Sequence, residues 1–271
     1  MTGAARPAHD DPSRWSVRSP VPALLAVPLL LLLAVPVLLL VARTSPAAAI
    51  AELRSRETLQ AIALSLATSL IALLVSVLLG LPLAYWLSRS RSRAAHVAET
   101  LIDLPTVLPP SVAGIALLLT LGRSGVVGSW LRSAGIEIAF TTAAVVIAQV
   151  FVASPYFVRA ARAGFASIGA DIREAAVMDG AVGLQLVRRV LAPQAAPSLL
   201  AGAAMCWSRA VGEFGATIIF AGNLPGRTQT MPLAVYVGLE SDLDRALVLS
   251  TLLIAMAVLV LIAVRMFGPR S

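Results

Sequence analysis

Arg209 and Glu213 stand four residues apart inside an otherwise apolar stretch, with Thr217 four further on. On a helix that spacing stacks all three on one face, where a guanidinium and a carboxylate can neutralise each other or offer charge to a passing solute. A second group, Asp171 and Glu174 followed by Gly180, sits in a polar connection. Asp171 reads as the cap of a helix whose first amides lack partners, Glu174 as its reciprocal, and Gly180 as the left-handed residue that ends the helix. Neither group is a catalytic constellation. The histidines, His9 and His96, are far apart and Cys206 is the lone cysteine, so a thiolate metal cage and an intrachain disulfide are both excluded. All 21 basic residues are Arg. The phosphate-cradling loop of nucleotide hydrolases needs a Lys, so this chain is not an ATPase of that type.

The elements that must hold these residues follow from composition. Of 271 residues, 58% are hydrophobic and only 13% charged, with a mean hydropathy of +0.88, which excludes both a soluble globule and a disordered chain. The apolar residues form six runs: Val21 to Ala42, Thr58 to Leu87, Leu104 to Leu121, Ile138 to Val158, Ala195 to Gly222 and Ala246 to Val264. Each is about long enough to cross a bilayer, which takes roughly 17 to 25 helical residues. The expected fold is an all-α integral membrane protein. It has a polar N-terminal tail (1–20), a transmembrane domain (21–266) containing a long connection (159–194), and a short C-terminal tail (267–271). The first run exceeds a signal peptide's apolar core of about 7 to 15 residues and reads as an uncleaved helix, with Pro28 and Pro36 tolerated as lipid-embedded helices tolerate them.

Six crossings put both termini on one side. With the termini inside, thirteen arginines fall on inner segments and seven on outer ones, which favours cytoplasmic termini. The net charge of +7 thus reflects orientation in the membrane, since the arginines sit mostly in short loops and make no nucleic-acid patch.

Arg209 and Glu213 are costly in the fifth run. Two charges near the middle of a span cost roughly 5 to 7 kcal/mol, while its seven strongly apolar residues return only about 2 to 4. That helix should therefore avoid all-round lipid, and its Gly202, Gly212 and Gly215 suit close packing inside a bundle. Residue types alone leave two readings of the pair open, a structural pin and a contact for solute.

The connection narrows the function. Glu174-Ala175-Ala176, three residues, Gly180, nine residues and then Val190-Leu191-Ala192-Pro193 resembles the EAA loop of permease subunits in binding-protein-dependent ABC importers. Val190 and Ala192 replace the more usual Ile and Leu. Gln185 to Val190 reads as a resumed helix and Pro193 as the next break. The stretch from Arg209 through Asn223-Leu-Pro-Gly-Arg-Thr-Gln-Thr230 to Tyr236 resembles molybdate permease subunits. Sulfate permeases are similar mainly through the Gly-Glu-Phe-Gly portion, and the proline cluster from Leu104-Pro105 to Pro109-Pro110-Ser111 fits both.

This resemblance implies a subunit working as a homodimer with two copies of an ABC ATPase and an external oxyanion-binding protein, in the cytoplasmic (inner) membrane. ATP and Mg would belong to the partner ATPase, with no cofactor on this chain. Asp171, Glu174, Ala175, Ala176, Gly180 and Pro193 would form the ATPase-coupling segment. Arg209, Glu213 and Thr217 would line the pathway, and Asn223, Arg227 and Gln229, beside Thr228, would meet the binding protein. Sulfate, thiosulfate and tungstate stay open as alternative cargo. A secondary transporter would need ionisable residues spread over several spans, and an intramembrane enzyme would need convergent reactive groups.

Overall fold

The computed structural model describes residues 21–267; the polar tail and the last four residues lie outside the described residues. Contacts divide the chain into two units, 1–43 and 44–271. In the first, α1 (Val21–Arg43) runs unbroken with Pro28 and Pro36 inside it, as expected of the first span.

The second unit is also all-helical among the described residues. In chain order it contains α2 (Pro46–Glu52), α3 (Arg56–Arg89), α4 (Arg93–Val107), α5 (Pro110–Leu121), α6 (Val126–Ser133) and α7 (Thr142–Ala166). Then come α8 (Ala170–Met178), α9 (Gly183–Leu186), a π turn (Val187–Leu191), α10 (Ala192–Val211), α11 (Gly215–Phe220), α12 (Met231–Ser241) and α13 (Leu243–Phe267). Five helical stretches are long and apolar enough to cross a membrane, and the bent pair α4–α5 makes a sixth if counted as one span.

The core is a seam of small residues with α7 at its centre, packed against α3 on one side and α10 on the other. On α3 the buried residues recur every three or four positions and are nearly all small: Thr58, Ala61, Ser65, Ser69, Ala72, Ser76, Gly80 and Ala84. Lipid tails provide no hydrophobic drive between helices, so association rests on close approach, which small side chains permit. The fit is tight. A Cβ on Gly80 would stand 2.9 Å from the Phe157 ring, and one on Gly202 would stand 2.7 Å from Ala160 Cβ. Trp207 on α10 donates from Nε1 to Ser69 Oγ on α3 at 3.0 Å, tying the two flanking helices together.

Several boundaries differ from the apolar runs. The expected third span is broken by 118° between α4 and α5, because Leu108 and Pro109 are extended (ψ 136° and 135°). A residue preceding proline is pushed out of the helical region, and Pro110 then starts the next helix where proline is well placed. The fourth span begins four residues later than its run and continues to Ala166, so Arg159 and Arg162 belong to the helix and the connection is correspondingly shorter. Pro193 breaks nothing. The π turn Val187–Leu191 precedes it, and α10 starts at Ala192 with Pro193 in its first turn. That placement leaves its ring and missing amide no earlier α-turn carbonyl to offend. The fifth span ends at Val211 and resumes as the short α11.

Candidate functional site

The segment from 170 to 181 is a nine-residue helix closed by a two-bond cap. Gly180 has φ +83°, its amide donates to Val177 O at 2.9 Å, and the amide of Ala181 donates to Ala176 O at 2.9 Å. That pair of bonds satisfies the last carbonyls and requires the left-handed residue that glycine adopts without a Cβ penalty. The start departs from the sequence expectation. Gly169, not Asp171, is the N-cap, with no side-chain cap bond, and Asp171 lies in the first turn. The carboxylate still favours the positive end of the helix there, but through charge rather than capping. The two alanines also part company: Ala176 is buried against Ile168 and Leu186, while Ala175 and Glu174 are exposed. Ile172, Val177 and Met178 are exposed too, Met178 at 88%. A cleft lined by Tyr85, Arg89, Arg173, Glu174 and Met178 separates this helix from the end of α3.

The break in the fifth span holds the second group. Arg209 lies in the last turn of α10, and its Nη1 is 2.6 Å from Glu213 Oε2. The other carboxylate oxygen accepts the amide of Ala216 at 2.8 Å, so Glu213 both neutralises Arg209 and caps the first turn of α11. Glu213 is 1% exposed and Thr217 is fully buried, whereas the Arg209 side chain is 26% exposed. The three do not share one continuous helical face, because the helix stops between them, and only Arg209 reaches the surface. Sequence reasoning missed the residue that secures the break from the side: Gln149 on α7, 1% exposed, donates from Nε2 to Ala210 O at 3.1 Å. Its signal was a lone carboxamide inside the apolar run Ile138 to Val158.

The loop after α11 is stitched down. Thr228 Oγ1 accepts the amide of Leu224 at 2.9 Å, Thr142 Oγ1 donates to Arg227 O at 2.9 Å, and the amide of Met231 donates to Ser65 Oγ at 2.7 Å. Arg227 is exposed, Asn223 and Gln229 are half-buried, and Thr228 is fully buried. Thr228 therefore holds the loop and offers no surface for docking. Nearby, Arg245 bridges Glu52 at 3.1 Å and Glu57 at 3.0 Å, joining α2, α3 and α13; their sequence separation hid this cluster.

Residues 76–271 match the family described as "Binding-protein-dependent transport system inner membrane component". The molybdenum transport system permease protein ModB of Mycobacterium tuberculosis is 44% identical over 204 residues, covering 75% of this chain and 77% of that one. The probable sulfate transport system permease protein cysT of Nephroselmis olivacea is 34% identical over 207 residues, covering 76% and 73%. Among solved structures, a chain of a bacterial alginate ABC transporter in complex with alginate pentasaccharide-bound periplasmic protein superposes with a TM-score of 0.69 at 18% identity, covering 91% of both chains. That last likeness concerns the fold alone. With the helical bundle, the capped loop helix and a family match over most of its length, the chain belongs to the inner-membrane components of binding-protein-dependent ABC importers, multi-pass permeases that carry solute while a separate ATPase and a binding protein do the rest.

Proposed function

We propose that this chain carries molybdate inward as a homodimer, with two copies of the ATPase and an external oxyanion-binding protein, and with both termini in the cytoplasm. The observation that carries the cargo reading is the Arg209–Glu213 pair at the break, one partly exposed guanidinium already balanced by a buried carboxylate. A tetrahedral dianion needs weak, donor-rich contact in a pathway, because tight binding would trap it. Glu213 pairs with Arg209 and sets its position, and Thr217 lies buried in α11 beyond them. The likeness to molybdenum permeases, stronger than that to the sulfate permease, supports molybdate over sulfate.

In this reading α8 is the coupling helix. Exposed Glu174 and Ala175, with Ile172 and Met178, meet the ATPase; Ala176 and the capped Gly180 fix the helix to the bundle, and Asp171 and Pro193 bracket the segment. ATP and Mg act on the partner. Asn223, Arg227 and Gln229 face the binding protein. The test is uptake of radiolabelled molybdate by proteoliposomes holding the permease, the ATPase and the binding protein, with sulfate and tungstate as competitors. ATP-dependent uptake that sulfate displaces poorly is expected, and Gly180→Asp should abolish it while leaving the permease inserted. Uptake without ATP, or sulfate taken in preference to molybdate, would overturn the reading.

A further inference from the structure

Two parallel ion pairs join α4 to α7. Arg159 Nε lies 2.6 Å from Asp103 Oδ1, Arg162 Nη2 lies 2.6 Å from Glu99 Oε1, and Arg159 Nη2 also reaches Thr106 Oγ1 at 3.4 Å. The order is antiparallel: moving toward α8 along α7 means moving back along α4. Ala98 and Ile102 of α4 pack into the same apolar cluster as Val158, Ala161 and Phe165 of α7, so charge and apolar contact grip together. Single exposed ion pairs are worth about 0 to 1 kcal/mol, but a ladder flanked by packing fixes register as well as attraction.

The position of this clasp gives it a role. Below it, only residues 167–169 separate α7 from α8. Above it, α4 turns through the 118° elbow into α5, and α5 interlocks with α11. A Cβ on Gly114 would stand 2.9 Å from Ala216 O, and one on Gly215 would stand 2.7 Å from Pro110 Cβ. On the other side of the break, α7 and α10 interlock through Gly202 and through Gly164, where a Cβ would stand 2.6 Å from Ser198 Cβ. On one side of the break α7 is thus packed with α10 and α3, on the other its Ala144, Val145, Ala148 and Val152 join α5 and α11 in one buried cluster, and the chain changes direction at the elbow and at the break between Val211 and Gly215.

We propose that Glu99, Asp103, Arg159 and Arg162 are positioning residues that make α4 a lever, carrying displacement of α8 through the elbow to α5 and so to the Arg209–Glu213 break. The proposal rests on α8 being the coupling helix. The clasp stays closed during transport, because a lever that slips transmits nothing.

The reconstituted complex tests it by uptake per ATP hydrolysed. The isosteric pair Glu99→Gln and Asp103→Asn should lower molybdate uptake per ATP by about fivefold while ATP hydrolysis continues, a coupling loss of ordinary size. Reversing Asp103→Arg alone should uncouple as well, and adding Arg159→Asp should restore most of the loss, which ties the effect to the pair, while the ratio of uptake to ATP hydrolysed in assembled complex separates coupling from a purely structural defect. A Cys pair at 103 and 159, joined by a short bifunctional methanethiosulfonate, should still transport; Cys206 is fully buried and stays out of the reaction. Undiminished uptake per ATP in the neutralised variant, no rescue by the reversed pair, or arrest on cross-linking each overturns the lever. If the neutralised variant fails to assemble, the cross-linked pair decides. The wild-type complex run alongside separates the two levels: its failure to take up molybdate with ATP counts against the transport reading, whereas normal wild-type uptake with an indifferent clasp counts against the lever alone.

Discussion

Gln149 on α7 and Ala210 on α10 are joined by a buried hydrogen bond of 3.1 Å, carboxamide to backbone carbonyl, one residue past Arg209. The same carbonyl also accepts the amide of Glu213 at 3.2 Å. Two donors, one from a neighbouring helix and one from the chain itself, hold the last turn of α10 where the fifth span stops.

Replacing Gln149 with Met keeps the volume and removes the donor, and Ala210 O retains its second partner. The expected loss is about 1 kcal/mol, the usual worth of a side-chain hydrogen bond within a membrane bundle. Gln149→Ala adds a cavity and should cost about 2 kcal/mol or more. Thermal unfolding of the purified permease checks the order; equal melting temperatures for wild type and both variants would remove Gln149 from the account.

Arg209 and Glu213 should respond unequally to mutation. Arg209→Ala strands a buried carboxylate, at a cost of about 3 to 5 kcal/mol. Glu213→Gln keeps an acceptor for the Ala216 amide and leaves a guanidinium that water can still reach, so it should be the milder change. The signature is a larger drop in melting temperature for Arg209→Ala than for Glu213→Gln, because only the first leaves a charge buried without its partner. Equal drops for the two variants would mean the stranded carboxylate does not carry the cost.

The α5–α11 contact leaves no room for a side chain. Gly114→Val would set its Cβ 2.9 Å from backbone Ala216 O, an atom that cannot swing aside, and should destabilise by about 1 to 3 kcal/mol. Gly135, with nothing within 4 Å of its Cβ position, provides the contrast, although its φ of +77° calls for Gly135→Asn. Comparable melting for Gly114→Val and wild type would show that the two helices part easily.

Hydropathy read the spans well because the bilayer demands long apolar helices, and residues such as Leu24, Leu78 and Leu259 advertise them. It read the ends poorly. Leu108–Pro109 and Gly212–Phe214 look apolar enough to continue a span, yet proline geometry and the Glu213 cap stop the helix there. Gly180 was legible because a left-handed glycine after a short helix has a local signature. Asp171 misled, since an acidic residue in a first turn and an N-cap differ by two positions. The contacts made by Gln149, Asp103 with Arg159, and Arg245 with Glu52 and Glu57 join residues far apart in the chain, which periodicity cannot pair.

The elbow between α4 and α5 carries a further consequence. Backbone that leaves the helix at membrane depth ordinarily exposes amide hydrogens that hydrocarbon cannot solvate. Here the corner is written with Pro109 and Pro110, neither of which has an amide hydrogen, while the amide of Leu108 is taken by Leu104 O at 3.1 Å and that of Ala113 by Pro109 O at 3.1 Å. The corner has been stripped of two of its donors, which leaves the amides of Ser111 and Val112, in the uncapped first turn of α5, as the ones that water or a polar neighbour must meet wherever the bend lies against lipid tails.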